Sequence, residues 1–220
     1  MKESFAREEI CRVGKSLFDR GYVHATAGNI SIRLEDGLLI TPSDACLGFL
    51  DPAGLAKIGT DGKQQSGERA SKTVLLHQAI YRATLQFSPH TSCIIHTHSS
   101  YCVSLALQVN TAELLPPITP YFVMKVGHVP LISYDHPGSP RIADEVAQTI
   151  TTYGRNKQII HAVMLERLGP NVWHDSPSAT MATLEELEET AKLVCLSKKS
   201  IASLTESQID ELRKKFGASW

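Results

Sequence analysis

A chain of 220 residues is long enough for one domain around one sizeable core. Its 22 basic and 23 acidic side chains leave a formal net charge of −1, so no basic excess is available to neutralise a polynucleotide. No apolar run approaches the roughly 18 residues of a membrane helix, and neither nucleic acid nor membrane is expected as a partner.

Ile10, Val13, Leu17 and Phe18 recur at helical spacing and Gly21 follows as a stop signal. Residues 29–33 alternate as a half-buried strand. Asp36-Gly37 marks a turn, and Leu38-Leu39-Ile40-Thr41 is the returning strand. Pro42-Ser43-Asp44 ends it in a loop. A polar, glycine-containing stretch from Gly59 to Gly67 leads to Ser71, the expected N-cap of a helix through Val74, Leu76, Ala79 and Ile80. Cys93-Ile94-Ile95-His96 reads as a short buried strand, and helical spacing resumes from Tyr101 to Leu107.

Further strands are predicted over 129–134 and 159–165, with Pro140 between them as the first residue of a helix carrying Ile142, Val146 and Ile150. Leu184, Leu187, Ala191 and Val194 form the apolar stripe of the next helix. The acidic run Glu185 to Glu189 reads as mostly solvated. Thr205 and Gln208 make a capping box before a last helix through Ile209, Leu212 and Phe216. The expected architecture is therefore α/β, one mixed sheet flanked by helices, in a single domain over residues 1–220. The five cysteines (Cys11, Cys46, Cys93, Cys102 and Cys195) are odd in number and scattered, and no secretory segment opens the chain. The expected compartment is the reducing cytoplasm.

Three local features point to chemistry. His96 and His98 lie two apart, so in an extended segment both imidazoles face one side and can reach one divalent ion; the blander alternative is two polar residues at a strand end. Gly28-Asn29, Ser43-Asp44 and Ser71-Lys72 combine backbone freedom with small polar donors. A helix starting at Ser71 would offer its positive end to a phosphate, although from spacing alone turn and cap duty is the better explanation of such residues. Tyr121 is either a proton donor or a core or interface aromatic. His77 and His128 read as structural.

Taken in order, Thr26-Ala27-Gly28-Asn29-Ile30-Ser31, Leu39-Ile40-Thr41-Pro42-Ser43, Ala70-Ser71-Lys72 and Ile95-His96-Thr97-His98-Ser99 resemble the motifs of the class II aldolase/adducin family. The resemblance runs from about residue 5 to residue 215 and implies that family's fold, a central mixed or antiparallel sheet flanked by helices. It implies a phosphate site at Asn29, Ser43, the Asp44 backbone, Ser71 and Lys72, and a divalent metal, zinc by expectation, on His96 and His98. It also implies a homotetramer in which Tyr121 comes from a neighbouring subunit. Residues 46–52, 119–124 and 184–193 resemble the branch that decarboxylates 3-oxo-tetronate 4-phosphates, so the expected substrate is a small phosphorylated sugar acid. The products are then dihydroxyacetone phosphate and CO₂. A sugar-phosphate aldolase or epimerase, and an adducin-like binding or assembly protein, are the alternatives.

Two positions depart from the family pattern. Thr73 stands where the family carries its acidic acid/base residue, and Leu168 stands where a third metal-binding histidine precedes a glycine. His161, His174 and Glu166 are near in sequence as substitute ligands.

Overall fold

The computed structural model describes residues 1–197 and 199–220. Helix α1 (Glu3–Asp19) leads into a hairpin of β1 (Asn29–Leu34) and β2 (Gly37–Ile40), then into β3 (Ala56–Gly59) and β4 (Gln64–Ser66). Helix α2 (Val74–Thr84), strand β5 (Cys93–His96), and helices α3 (Ser100–Ala106) and α4 (Pro120–Lys125) follow. The chain continues with β6 (Leu131–Ile132), α5 (Pro140–Arg155), β7 (Ala162–Leu165), β8 (Gly169–His174), α6 (Pro177–Leu196) and α7 (Glu206–Phe216).

The strands form one sheet in the order β4-β3-β2-β1-β5-β8-β7-β6. Every pairing is antiparallel except β6 with β7. Alternation along the strands splits the core in two. Ile30, Ile32, Cys93, Ile95 and Val172 face α1, α3 and α6, whereas Ile40, Ile94, Val163 and Trp173 face α2 and α5. Burying each large apolar side chain stabilises the fold by about 1.5–3 kcal/mol, and both layers hold fully buried ones, such as Leu17 and Ile80. The outer strand β4 is Gln-Gln-Ser and wholly exposed, a polar edge that discourages pairing with another sheet.

Several expectations shift. The hairpin turn is Glu35-Asp36, since Gly37 already pairs with Leu34. The strands expected over 129–134 and 159–165 shorten to β6 and β7. The polar stretch after Gly59 contains β4, and β3 and β8 had no counterpart in the sequence reading. Ser71 is not the N-cap: Thr73 occupies that position without a side-chain cap bond, and a turn closed by Val74 N–H to Ser71 O precedes the helix. The acidic run is not all solvated, because buried Glu188 accepts the Tyr101 and Cys102 N–H groups, each at 2.9 Å, and caps α3. The capping box of Thr205 and Gln208 forms as expected. No described helix is long and apolar enough to cross a membrane.

Candidate functional site

Register builds the site. Asn29 is the cross-strand partner of His96, and His96 is the partner of Asn171. The three side chains therefore stand in a row, at the start of β1, the end of β5 and within β8, on the face covered by α2 and α5. A cavity of about 250 Å³ opens over this row. Asn29, Ser43, Asp44, Ser71, Lys72, Thr73, His96 and His98 all line it, so of the expected site residues only Tyr121 is missing. Tyr121 sits 62% exposed on α4 and does not line the cavity of its own chain.

One half of the cavity gathers small polar side chains and a lysine. Asn29 is held from below by His77, whose Nε2–H donates to Asn29 Oδ1 at 2.7 Å while Nδ1 lies 2.7 Å from Ser31 Oγ. With Oδ1 engaged, the Asn29 amide nitrogen is the group left for a ligand. Burial, and then the nearby His96, push the His77 pKa down to about 3, so the ring is neutral at neutral pH. Ser71 is also buried, with its hydroxyl 3.0 Å from that of Thr73. The cavity-lining Leu75 and Leu76 belong to the first turn of α2, so that helix presents its positive end here. Asp44 holds φ at +59°, a conformation unusual outside glycine, and its carboxylate pairs with Lys72 at 3.4 Å.

The other half holds the imidazoles. His96 is buried, and its Nδ1–H donates to the Pro170 carbonyl at 2.9 Å, leaving Nε2 as the free lone pair. Donation of the second ring N–H to a carbonyl is the usual support of a metal-binding histidine. The rings of His96 and His98 lie 5.0 Å apart at 68°. Burial and then His98 lower the His96 pKa to about 3, and burial and then His24 lower that of His98. Both rings are neutral at neutral pH, the form that binds a metal.

Glycine places the neighbouring loops. A Cβ on Gly28 would lie 2.8 Å from the His96 carbonyl, so the loop before β1 presses against the imidazole strand. A Cβ on Gly169 would lie 2.0 Å from the Thr97 carbonyl, and its φ of +129° also suits only glycine. Leu168, the preceding residue, lines the same cavity as the two histidines.

The substitute ligands do not arrive. His161 and His174 stack on each other at 4.7 Å, and His174 pairs with Cys93 at the far end of β5 from His96. Glu166 accepts the Tyr134 N–H and lies 3.4 Å from Arg167. Three residues not singled out in the sequence reading do reach the site: His136 and Asn171 line the cavity, and the His24 ring lies 6.5 Å from that of His98. Asn171 Oδ1 is buried without a partner. Only the register of β8, unrecognised from sequence, could have pointed to Asn171.

An antiparallel-dominated sheet carries a polar pocket beside an imidazole pair. Residues 8–195 match the model of the Class II Aldolase and Adducin N-terminal domain, and the chain belongs to that family. It is 48% identical to the 3-oxo-tetronate 4-phosphate decarboxylase of Cupriavidus necator over 99% of both chains. It is 41% identical to the enzyme of the same name from Escherichia coli K12 over 96% of both. The crystal structure of Escherichia coli YgbL superposes with a TM-score of 0.85 at 39% identity, covering 96% of this chain and 99% of that one.

The family generally uses a divalent metal. The neutral imidazole pair, with the supported His96 tautomer, fits such an ion as two of its ligands. Among the described residues no group of three or more His, Cys, Asp or Glu side chains converges to complete the set.

Proposed function

We propose that this chain is a carboxy-lyase that decarboxylates a 3-oxo-tetronate 4-phosphate to dihydroxyacetone phosphate and CO₂, in four-carbon sugar-acid breakdown. The observation that carries the choice is the lining of the cavity. Its one carboxylate is Asp44, exposed and paired with Lys72, while the position beside Ser71 holds the Thr73 hydroxyl. Aldol cleavage requires a base to remove a hydroxyl proton. Decarboxylation starts from an ionised carboxylate and requires an electron sink and a later proton donor. The near-full-length likeness to the decarboxylases supports the same choice.

In this reading the amide nitrogen of Asn29, the Ser43 and Ser71 hydroxyls, the Asp44 N–H and Lys72 hold the phosphate, and the α2 N-terminus adds its field. The substrate ketone then lies toward His96 and His98. The C1–C2 bond breaks, CO₂ leaves, and its electron pair forms an enediolate across C2 and C3. One proton taken up at C2 gives dihydroxyacetone phosphate. A divalent ion on His96 and His98, zinc in this reading, supplies positive charge for the developing enediolate. Tyr121 of a second copy is the proposed proton donor, within a homotetramer in the cytoplasm.

The test is direct. Purified protein with zinc in the buffer is given 3-oxo-tetronate 4-phosphate or L-fuculose 1-phosphate, and CO₂ and dihydroxyacetone phosphate are measured. CO₂ release from the first supports the proposal. Cleavage of the second without CO₂ release from the first makes the chain an aldolase, and inertness toward both removes the enzymatic reading.

A further inference from the structure

The imidazole pair and the anion cradle share one wall. Asn29 and His96 are directly paired across β1 and β5, so a ligand anchored by Asn29 lies one strand spacing, about 4.8 Å, from the His96 side chain. The protein offers a divalent ion little else. A zinc site needs four ligands, of which catalytic sites normally take three from the protein. Here two come from His96 and His98.

Among the described residues no third His, Cys, Asp or Glu side chain converges on the pair, and Asn171, whose neutral Oδ1 is buried without a partner, places its Nδ2 3.2 Å from His96 Nδ1, the ring nitrogen opposite the free lone pair. Leu168 lines the cavity and is apolar. The Thr73 hydroxyl is neutral and bonded to Ser71. The His24 ring is 6.5 Å from that of His98, roughly 1.5 Å farther than the His96–His98 separation, and the side chain is exposed. His136 is exposed on the loop that forms the opposite rim. Two imidazoles without a third donor make a weak site, because the ion retains water at the open positions and gains little over bulk solution.

A phosphorylated ligand with adjacent ketone and hydroxyl oxygens changes that count. Its phosphate is held by Asn29, Ser71 and Lys72, and its two oxygens can fill the two open positions. We propose that His96 and His98 form a half-site that binds its divalent ion tightly only together with the phosphorylated substrate or product. Metal and sugar phosphate then bind with mutual reinforcement, and the coupling is the same viewed from either ligand. The inference rests on the phosphate reading of the cradle but concerns affinity rather than turnover.

Metal-stripped protein is titrated with Co²⁺ or Zn²⁺ alone, with dihydroxyacetone phosphate, and with inorganic phosphate. Binding is read by equilibrium dialysis and by the cobalt absorption spectrum. Dihydroxyacetone phosphate is expected to tighten metal binding at least tenfold and to be tightened by the metal by the same factor. Inorganic phosphate, which lacks the chelating oxygens, is expected to leave metal binding unchanged. Leu168→His should bind metal without the sugar phosphate and show a smaller coupling factor. Equally tight metal binding with and without dihydroxyacetone phosphate overturns the proposal, and loss of that binding in His24→Ala would assign the third ligand to His24. Sugar-phosphate binding with no metal uptake in either condition also overturns it, while leaving the phosphate reading intact. Absence of sugar-phosphate binding removes both.

Discussion

His77→Leu tests the buried support beneath Asn29. The side chain is fully buried and makes two 2.7 Å hydrogen bonds, to Asn29 Oδ1 and Ser31 Oγ. Leucine preserves much of the volume and removes both. The two losses are unequal, because Ser31 Oγ keeps the Tyr81 hydroxyl at 2.9 Å whereas Asn29 Oδ1 has no second partner. An orphaned buried acceptor costs about 1–3 kcal/mol and a lost bond with a surviving alternative about 0.5–1.5 kcal/mol, so the expected total is about 2–4 kcal/mol. For a chain of this size that is a fall in Tm of very roughly 4–16 °C, at about 2–4 °C per kcal/mol. Urea denaturation of the metal-free protein measures the loss, and a double-mutant cycle locates it. In an Asn29→Ala background there is no acceptor to orphan, so His77→Leu should cost at least about 1 kcal/mol less. Strictly additive effects of the two substitutions would refute the account of His77 as the support of Asn29.

Ser71→Ala with Lys72→Ala should raise KM for the phosphorylated substrate about 10–100-fold, since a bond to a charged group contributes roughly 1.5–3 kcal/mol; unchanged kinetics would move the phosphate elsewhere. Stability should fall on acidification, because His77 and His161 have pKa values lowered to about 3 and about 4 against an unfolded value near 6.5. The unfolded chain binds more protons in that window, so their contribution is intact above pH 6.5 and is lost as pH falls toward 4. These two groups alone give about 2–3 kcal/mol per pH unit near pH 5, with His96 adding in the same direction in metal-free protein, and denaturation at pH 7, 6 and 5 should show it; a flat profile contradicts the assigned burial. Gly169→Ala should destabilise by more than about 2 kcal/mol, because its Cβ would stand 2.0 Å from the Thr97 carbonyl at a φ of +129°. Gly127→Ala, where the nearest atom is Ser219 Oγ at 3.6 Å, isolates the backbone strain alone, and equal losses in the two variants would refute the close contact of Gly169 with Thr97.

What the sequence disclosed and what it hid have physical reasons. Strand β1 and the imidazole strand were legible because apolar residues alternate or run together there and a turn signal stands between β1 and β2. The capping box at Thr205 was legible because it is wholly local. Strand β8 was not, since Gly169, Pro170 and Asn171 disfavour strands on their own. They pair because β5 and β7 flank them, and Pro170 contributes the carbonyl that sets the His96 tautomer. The helix starts two residues later than its cap signal suggests because Ser71 and Thr73 are both good cap types, and only the tertiary position of Ser71, fixed by its N–H on the Thr41 carbonyl, decides between them. The distance of His161 and His174 from the site was equally hidden, because strand direction carries them to the opposite end of the sheet.

The two departures from the family pattern, Thr73 and Leu168, act in one direction on the proposed chemistry. A carboxylate at position 73 would repel the substrate carboxylate, and an imidazole at 168 would offer it a polar partner. With Leu168 set beside Ile142 and Leu165, that part of the cavity wall is apolar. A substrate carboxylate placed against such a wall would shed water, and its charge is localised before the C1–C2 bond breaks but dispersed afterwards, so the wall would disfavour the starting state more than the transition state. The energy that holds it there comes from the phosphate end, through contacts of Asn29, Ser71 and Lys72 that do not change during the reaction. On the proposed reading the intact half of the site therefore supplies binding energy and the altered half supplies an environment. On that reading aldol cleavage gains nothing from the apolar wall and still lacks its base, so the same pair of residues would favour loss of CO₂.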